Sequence, residues 1–328
     1  MDAAATNRNA ADRAARGVVR DFLAEWARRT ARAIRGEAVA DAHVAVVVGF
    51  AGSGHRPGIA PADAFASCLA ATRVLGGLEA ARRSAILVEP DPVLAERLAD
   101  FLDNGLGAEV RLTGDCDALE AGTFTVLNAS FAEAVGAIGR LTADPARCLY
   151  LLDPPAPGDL PLAALRPLLA QPRADFLITL PASELDRQAQ HAGVPLADLP
   201  PRARRSVDGY AALCGDVRYE WLLCWRAAAA AGEDRESAVA NHYRARLEAA
   251  AGSTSVKHVA LHPVDAPAGA AQLLLATREP ALALDLNRAV RAARLAGHVA
   301  WGEGESLFAA EYDPGVLDLF GAATGAPP

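Results

Sequence analysis

Lysine is almost missing from this chain: Lys257 stands alone among 32 basic residues. The others are arginine, and beside the abundant alanine this reads as a codon bias without functional content. Acidic residues outnumber basic ones, 40 to 32, for a formal net charge of −8. That sign argues against broad electrostatic association with nucleic acid, which favours basic surfaces. The densest local exception, Arg202, Arg204 and Arg205, reads as a solvated turn. Cysteines number five (Cys68, Cys116, Cys148, Cys214 and Cys224), with no CxxC pair. An odd, scattered set excludes a disulfide framework, offers no zinc-type spacing and suits reduced thiols in a cytoplasm. The seven histidines add no metal-ligand spacing, so no metal is expected. No run approaches the ~18 apolar residues of a membrane span. The opening MDAAATNRNAADRAARG lacks the apolar centre of a secretion signal. A soluble, cytoplasmic protein is the expectation.

What is present is apolar. Of 328 residues, 52% are hydrophobic and 22% charged, so one large α/β domain or two modest ones can bury a core. Residues 1–16 are expected to be disordered. From Val18 to Ile34, Val19, Phe22, Leu23, Trp26 and Ile34 return to one face at helical spacing, predicting an amphipathic helix. Strand-like runs at 43–49, 84–89, 123–128, 147–152 and 174–180 then alternate with helix-like runs at 62–75, 92–103, 130–140 and 160–170. Segment 108–113 is either a further strand or part of a connection. The alternation predicts a doubly wound, mostly parallel sheet spanning 17–182. A helical, Ala/Arg-rich insertion follows over 183–251. The core is completed over 252–300 by strands 255–262 and 271–277 and a helix at 279–296. Strands so close together must pair antiparallel, because a parallel crossover needs a dozen or more residues. A tail, 301–328, closes the chain.

Three strand ends carry residues suited to chemistry. VAVVVGFAGSG places Phe50, Ala51, Gly52, Ser53 and Gly54 on the turn after the first strand, where glycines let a ligand approach the backbone. ILVEPDP puts Glu89 at the tip of the second, where a carboxylate can accept both hydroxyls of a ribose. CLYLLDPPAPG delivers Asp153, Pro154 and Pro155. Prolines fix φ and remove amide donors. An Asp carboxylate and a fixed carbonyl can then hold an amino group and aim its lone pair, which is catalysis by positioning. Each feature alone also reads as an ordinary turn or cap.

Together FAGSG, EPD and LLDPPAPG resemble the strand ends of amino-methylating, S-adenosylmethionine-dependent methyltransferases. VVRDFLAEWARR, GYAALCGDVRYEW, NHYRARLEAAAG and AAQLLLATREPALALDLNRAV further resemble the three-Cys-motif partner (TcmP) family, in consistent order over about residues 17–295. The resemblance implies a Rossmann-like class I methyltransferase sheet with an inserted helical subdomain. It implies S-adenosyl-L-methionine as cofactor, held by Phe50 to Gly54, by Glu89 at the ribose and by Asn128 at the adenine, with Asp115 as the competitor for that last role. Asp153 would face the methyl acceptor, a nucleobase or small molecule, and a three-Cys-motif protein is the implied partner. Two departures stand out. Gly49 occupies the place of the usual Asp, and Ala156 the place of the aromatic that stacks on a flipped base, a contact worth ~1–3 kcal/mol.

Two readings therefore remain open. The chain is an N-directed methyltransferase, its helical insertion forming part of the pocket, or a degenerate methyltransferase fold kept as a binding module. Nicotinamide-dependent reduction is set aside, because the Gly turn lacks a full GxGxxG and Asp-Pro-Pro has no role in it.

Overall fold

The computed structural model describes residues 3–37, 42–52, 64–80, 82–106, 109–143, 147–180, 185, 194–252, 254–264 and 271–300. The strands are β1 (His43–Val48), β2 (Arg82–Val88), β3 (Val110–Thr113), β4 (Phe124–Leu127), β5 (Arg147–Leu152), β6 (Ala174–Leu180), β7 (Ser255–Leu261) and β8 (Ala271–Thr277). They form one eight-stranded sheet in the order β3-β4-β2-β1-β5-β6-β8-β7. The first six strands are mutually parallel. β8 runs antiparallel between β6 and β7. Segment 108–113 thus contributes an edge strand, and the two late strands pair as their short separation demands.

The helices are α1 (Ala3–Glu37), α2 (Ala66–Gly76), α3 (Pro92–Leu106), α4 (Phe131–Leu141), α5 (Leu162–Leu169), α6 (Pro201–Cys214), α7 (Glu220–Ala231), α8 (Arg235–Ala251) and α9 (Pro280–Leu295). They cover both faces of the sheet. α1, α2, α3 and α9 pack on the face presented by Val44, Val46 and Val48, and α4 to α8 on the face presented by Ala45 and Val47. A central parallel strand buried on both sides must be apolar throughout, and β1 is buried at every residue. The architecture is Rossmann-like α/β.

One expectation needs correction. Residues 3–16, expected to be disordered, are the first turns of α1. Their Ala-rich composition favours helix even without an apolar stripe. The helix is then fixed to the sheet face by Val18, Phe22, Leu23 and Trp26, all at most 1% exposed. Arg29 anchors it further, ion-paired at 2.7 Å with Asp285 of α9. The helical insertion, in turn, shares one apolar core with β1, β5 and β6. Trp221, Trp225 and Tyr243, at 0–1% exposure, are part of that core.

Candidate functional site

Because β1 leads to β2 on one side and lies against β5 on the other, the strand order reverses between β1 and β5. Ligands in open α/β sheets bind outside the carboxyl ends of strands at such a point. Here the chain leaves β1 through Gly49, whose amide donates to Leu151 O at 2.9 Å, and Ala51, whose amide donates to Val88 O at 2.9 Å. The turn is therefore tied to both neighbouring strands. Gly49 has no room for a side chain: an added Cβ would lie 2.5 Å from Leu152 Cδ2 and 3.1 Å from Phe131 Cδ2. Glycine here is thus favoured by packing, on the face opposite Val48.

Gly52 and Glu89, 37 residues apart, meet directly. The Gly52 amide donates to Glu89 Oε2 at 2.7 Å, and the Asp91 amide donates to Oε1 at 2.9 Å. Glu89 is 5% exposed. Any Cβ at Gly52 would lie 2.3 Å from Glu89 Oε2, so glycine is required for this approach. A carboxylate offers about four acceptor sites. Cys68, in α2, donates to Ala51 O at 3.4 Å. Burial first, and the Glu89 charge second, push its thiol up to about 12, so it is inert packing.

A cavity of about 70 Å³ opens at the switch point. Phe50 and Ala51 from the β1 turn, Asp153 from the tip of β5, Cys68 from α2 and Arg16 from α1 line it, beside apolar walls from β5 and β6. Arg16 and Asp153 are the charged residues among its described lining. Helix α1 thus closes one side of the crevice. Ligand pockets usually span ~300–1,000 Å³, so this cavity must widen to admit a nucleoside.

The sequence-derived set is therefore placed as follows. Phe50, Ala51 and Asp153 line the cavity; Gly52 and Glu89 form a contact beside it, reached through Cys68 and Ala51. Pro154 is buried and Pro155 exposed, in the loop that follows Asp153. That loop is held from the insertion: a Cβ on Gly209 of α6 would meet Gly158 N at 3.0 Å and Pro157 Cγ at 3.2 Å. The insertion supports the Asp153 loop from the opposite face, and none of its described residues lines the cavity. Asn128 is committed to structure through its Nδ2, which donates to Glu89 O at 2.9 Å and Pro90 O at 3.0 Å. Asp115 caps a short turn through Asp117 N. Ala156 sits before a turn whose Asp159 accepts its amide at 3.1 Å. Ser53 and Gly54 lie outside the described residues. Arg16 escaped the sequence reading, because it lies in the stretch expected to be disordered.

One arginine of the basic cluster is engaged. Arg204 pairs with Asp208 at 2.9 Å and donates to Tyr219 Oη at 2.8 Å, leaving Arg202 and Arg205 on the exposed face of α6. No described helix is long and apolar enough to cross a membrane.

Fold and site together define a Rossmann-like α/β protein with a charged cavity at the strand-order reversal. No protein-family model matches the chain, and no curated protein matches it.

Proposed function

We propose that the chain is an S-adenosylmethionine-dependent methyltransferase acting on a nitrogen. The observation that carries this reading is the convergence, at one sheet edge, of the β1 glycine turn, the Glu89 tip of β2 and the Asp153-lined cavity. The strand order supports it, since a last strand slipped antiparallel beside the final parallel one is the hairpin of class I methyltransferase sheets. In this reading the Gly52 turn and Glu89 receive the ribose. Asn128, its Nδ2 already used, receives the adenine amino group on Oδ1. Arg16 takes the carboxylate at the amino-acid end, and Asp153 with the Pro154 carbonyl aims the acceptor nitrogen at the methyl group. Once bound, the cofactor supplies an electrophilic methyl; the protein's own work is orientation. Loading requires the cavity to widen.

Calorimetry with S-adenosylmethionine and its demethylated product tests this. Saturable binding in the micromolar range is expected, weakened ten- to a hundredfold in Arg16→Ala, as for loss of a ~1.5–3 kcal/mol bond to a charged group. Asp153→Ala should abolish turnover with affinity nearly intact. Full turnover in that variant would refute the acceptor role.

The small cavity and the enclosed Gly49 favour a second reading, a methyltransferase fold kept as an interaction module for a three-Cys-motif partner. No heat from either ligand with a natively folded chain would select it.

A further inference from the structure

Away from the sheet edge, helices α6, α7 and α8 assemble a different set of donors. Cys214 ends α6, Asp216 follows in the turn to α7, and His242 reaches both from α8. A sulfur, a carboxylate oxygen and an imidazole nitrogen from these three residues lie within 4.8 Å of one another. Cys214 is 0% exposed, the Asp216 side chain 0% and the His242 side chain 15%. We propose that they form a binding site for a zinc-type divalent transition metal, with Cys214 Sγ, an Asp216 oxygen and His242 Nε2 as its protein ligands.

The donor chemistry sets the class of ion. One thiolate, one imidazole and one carboxylate suit zinc and its neighbours, whereas calcium and magnesium require oxygen ligands. The spacing fits as well. His242 Nε2 lies 2.8 and 3.1 Å from the two Asp216 oxygens. Two ligands each ~2.0–2.1 Å from a tetrahedral ion stand roughly 3.3 Å apart, so His242 and Asp216 need only a sub-ångström shift to share one.

The surroundings are those of an outer shell. Metal-bound histidines place their other ring nitrogen on a fixed partner, and ligating carboxylates are themselves hydrogen-bonded. His242 Nδ1 faces Cys224 Sγ at 3.7 Å. A metal on Nε2 puts the ring proton on Nδ1, where the Cys224 sulfur accepts it. Asp216 Oδ2 accepts from Trp221 N at 2.8 Å, and Arg246 Nε lies 3.4 Å from Oδ1. Arg246 is independently anchored by the carbonyls of Cys214 and Gly215, at 3.1 and 2.9 Å. It therefore remains in place whether or not an ion is bound. Burial and the Asp216 charge hold the Cys214 thiol well above its ordinary value. The Tyr243 hydroxyl, fully buried, has no hydrogen-bond partner among the described residues.

Cobalt(II) titration of the full chain tests the site. A sulfur-to-cobalt charge-transfer band should saturate at one ion per chain and be displaced by zinc. Cys214→Ser should remove it, Cys116→Ser should leave it unchanged, and Cys224→Ala, which loses only the orienting partner, should weaken binding ~10-fold or more. Where Cys214→Ser does not fold, the wild-type melting midpoint serves instead: zinc should raise it and magnesium should not. Absence of a saturable band in native protein, a band surviving Cys214→Ser, or a midpoint indifferent to zinc each overturns the proposal.

Discussion

At Gly49 any side chain displaces its neighbours. A methyl group there meets Leu152 and Phe131 inside van der Waals distance, and overpacking of this kind costs ~1–3 kcal/mol. Gly49→Ala should therefore lower the urea midpoint, and Gly49→Asp should do so by more, since it also buries a charge. Unchanged stability in Gly49→Asp would mean the turn reshapes freely. Asp175 gives a pH prediction. It accepts from Thr277 Oγ1 at 2.6 Å and Trp26 Nε1 at 3.3 Å, yet burial raises its carboxyl to about 6. A carboxyl raised in the fold keeps its proton where the unfolded chain has lost it. Its contribution is thus greatest below its unfolded value near 4 and declines as pH rises to about 6. Each tenfold difference in proton affinity between fold and unfolded chain is worth ~1.4 kcal/mol. The stability difference between wild type and Asp175→Asn should change across that window and be flat above pH 7. A difference constant from pH 4 to 7 would contradict the assignment.

Among elements, the strands were the most legible. Runs such as VAVVV and DFLITL are apolar because the sheet is covered on both faces, and their positions in sequence and structure agree within two residues at each end. The beginning of α1 was not legible, because an alanine-rich stretch without a stripe carries helix propensity but no burial signal. Arg16 was lost with it. The Cys214–Asp216–His242 cluster was equally hidden: 26 residues separate Asp216 from His242, and only the antiparallel packing of α7 and α8 brings them together. At this scale Gly209→Ala is informative. Its new methyl presses on Pro157 and Gly158, so the loop after Asp153 must shift. Stability should fall by ~1–3 kcal/mol, and any methyl transfer should fall more than cofactor affinity does. Equal losses in both would place the loop's role in cofactor binding.

For the whole molecule, the strand order, the reversed hairpin and the crevice between β1 and β5 are independent of any one side chain. They make the β1 and β5 tips the place where a ligand of this protein is expected. The sequence identified that edge because its glycine turn and acidic tips stand at strand ends. It did not reveal that Glu89 is bound by the turn it faces, since that contact spans 37 residues. The most direct measurement is a structure of the chain grown with S-adenosylhomocysteine. The nucleoside is expected at the β1–β5 edge, its ribose toward Glu89 and its amino-acid end between Arg16 and Asp153, with the cavity enlarged. Ligand bound anywhere else, or a crevice unchanged at saturating concentration, would contradict this expectation.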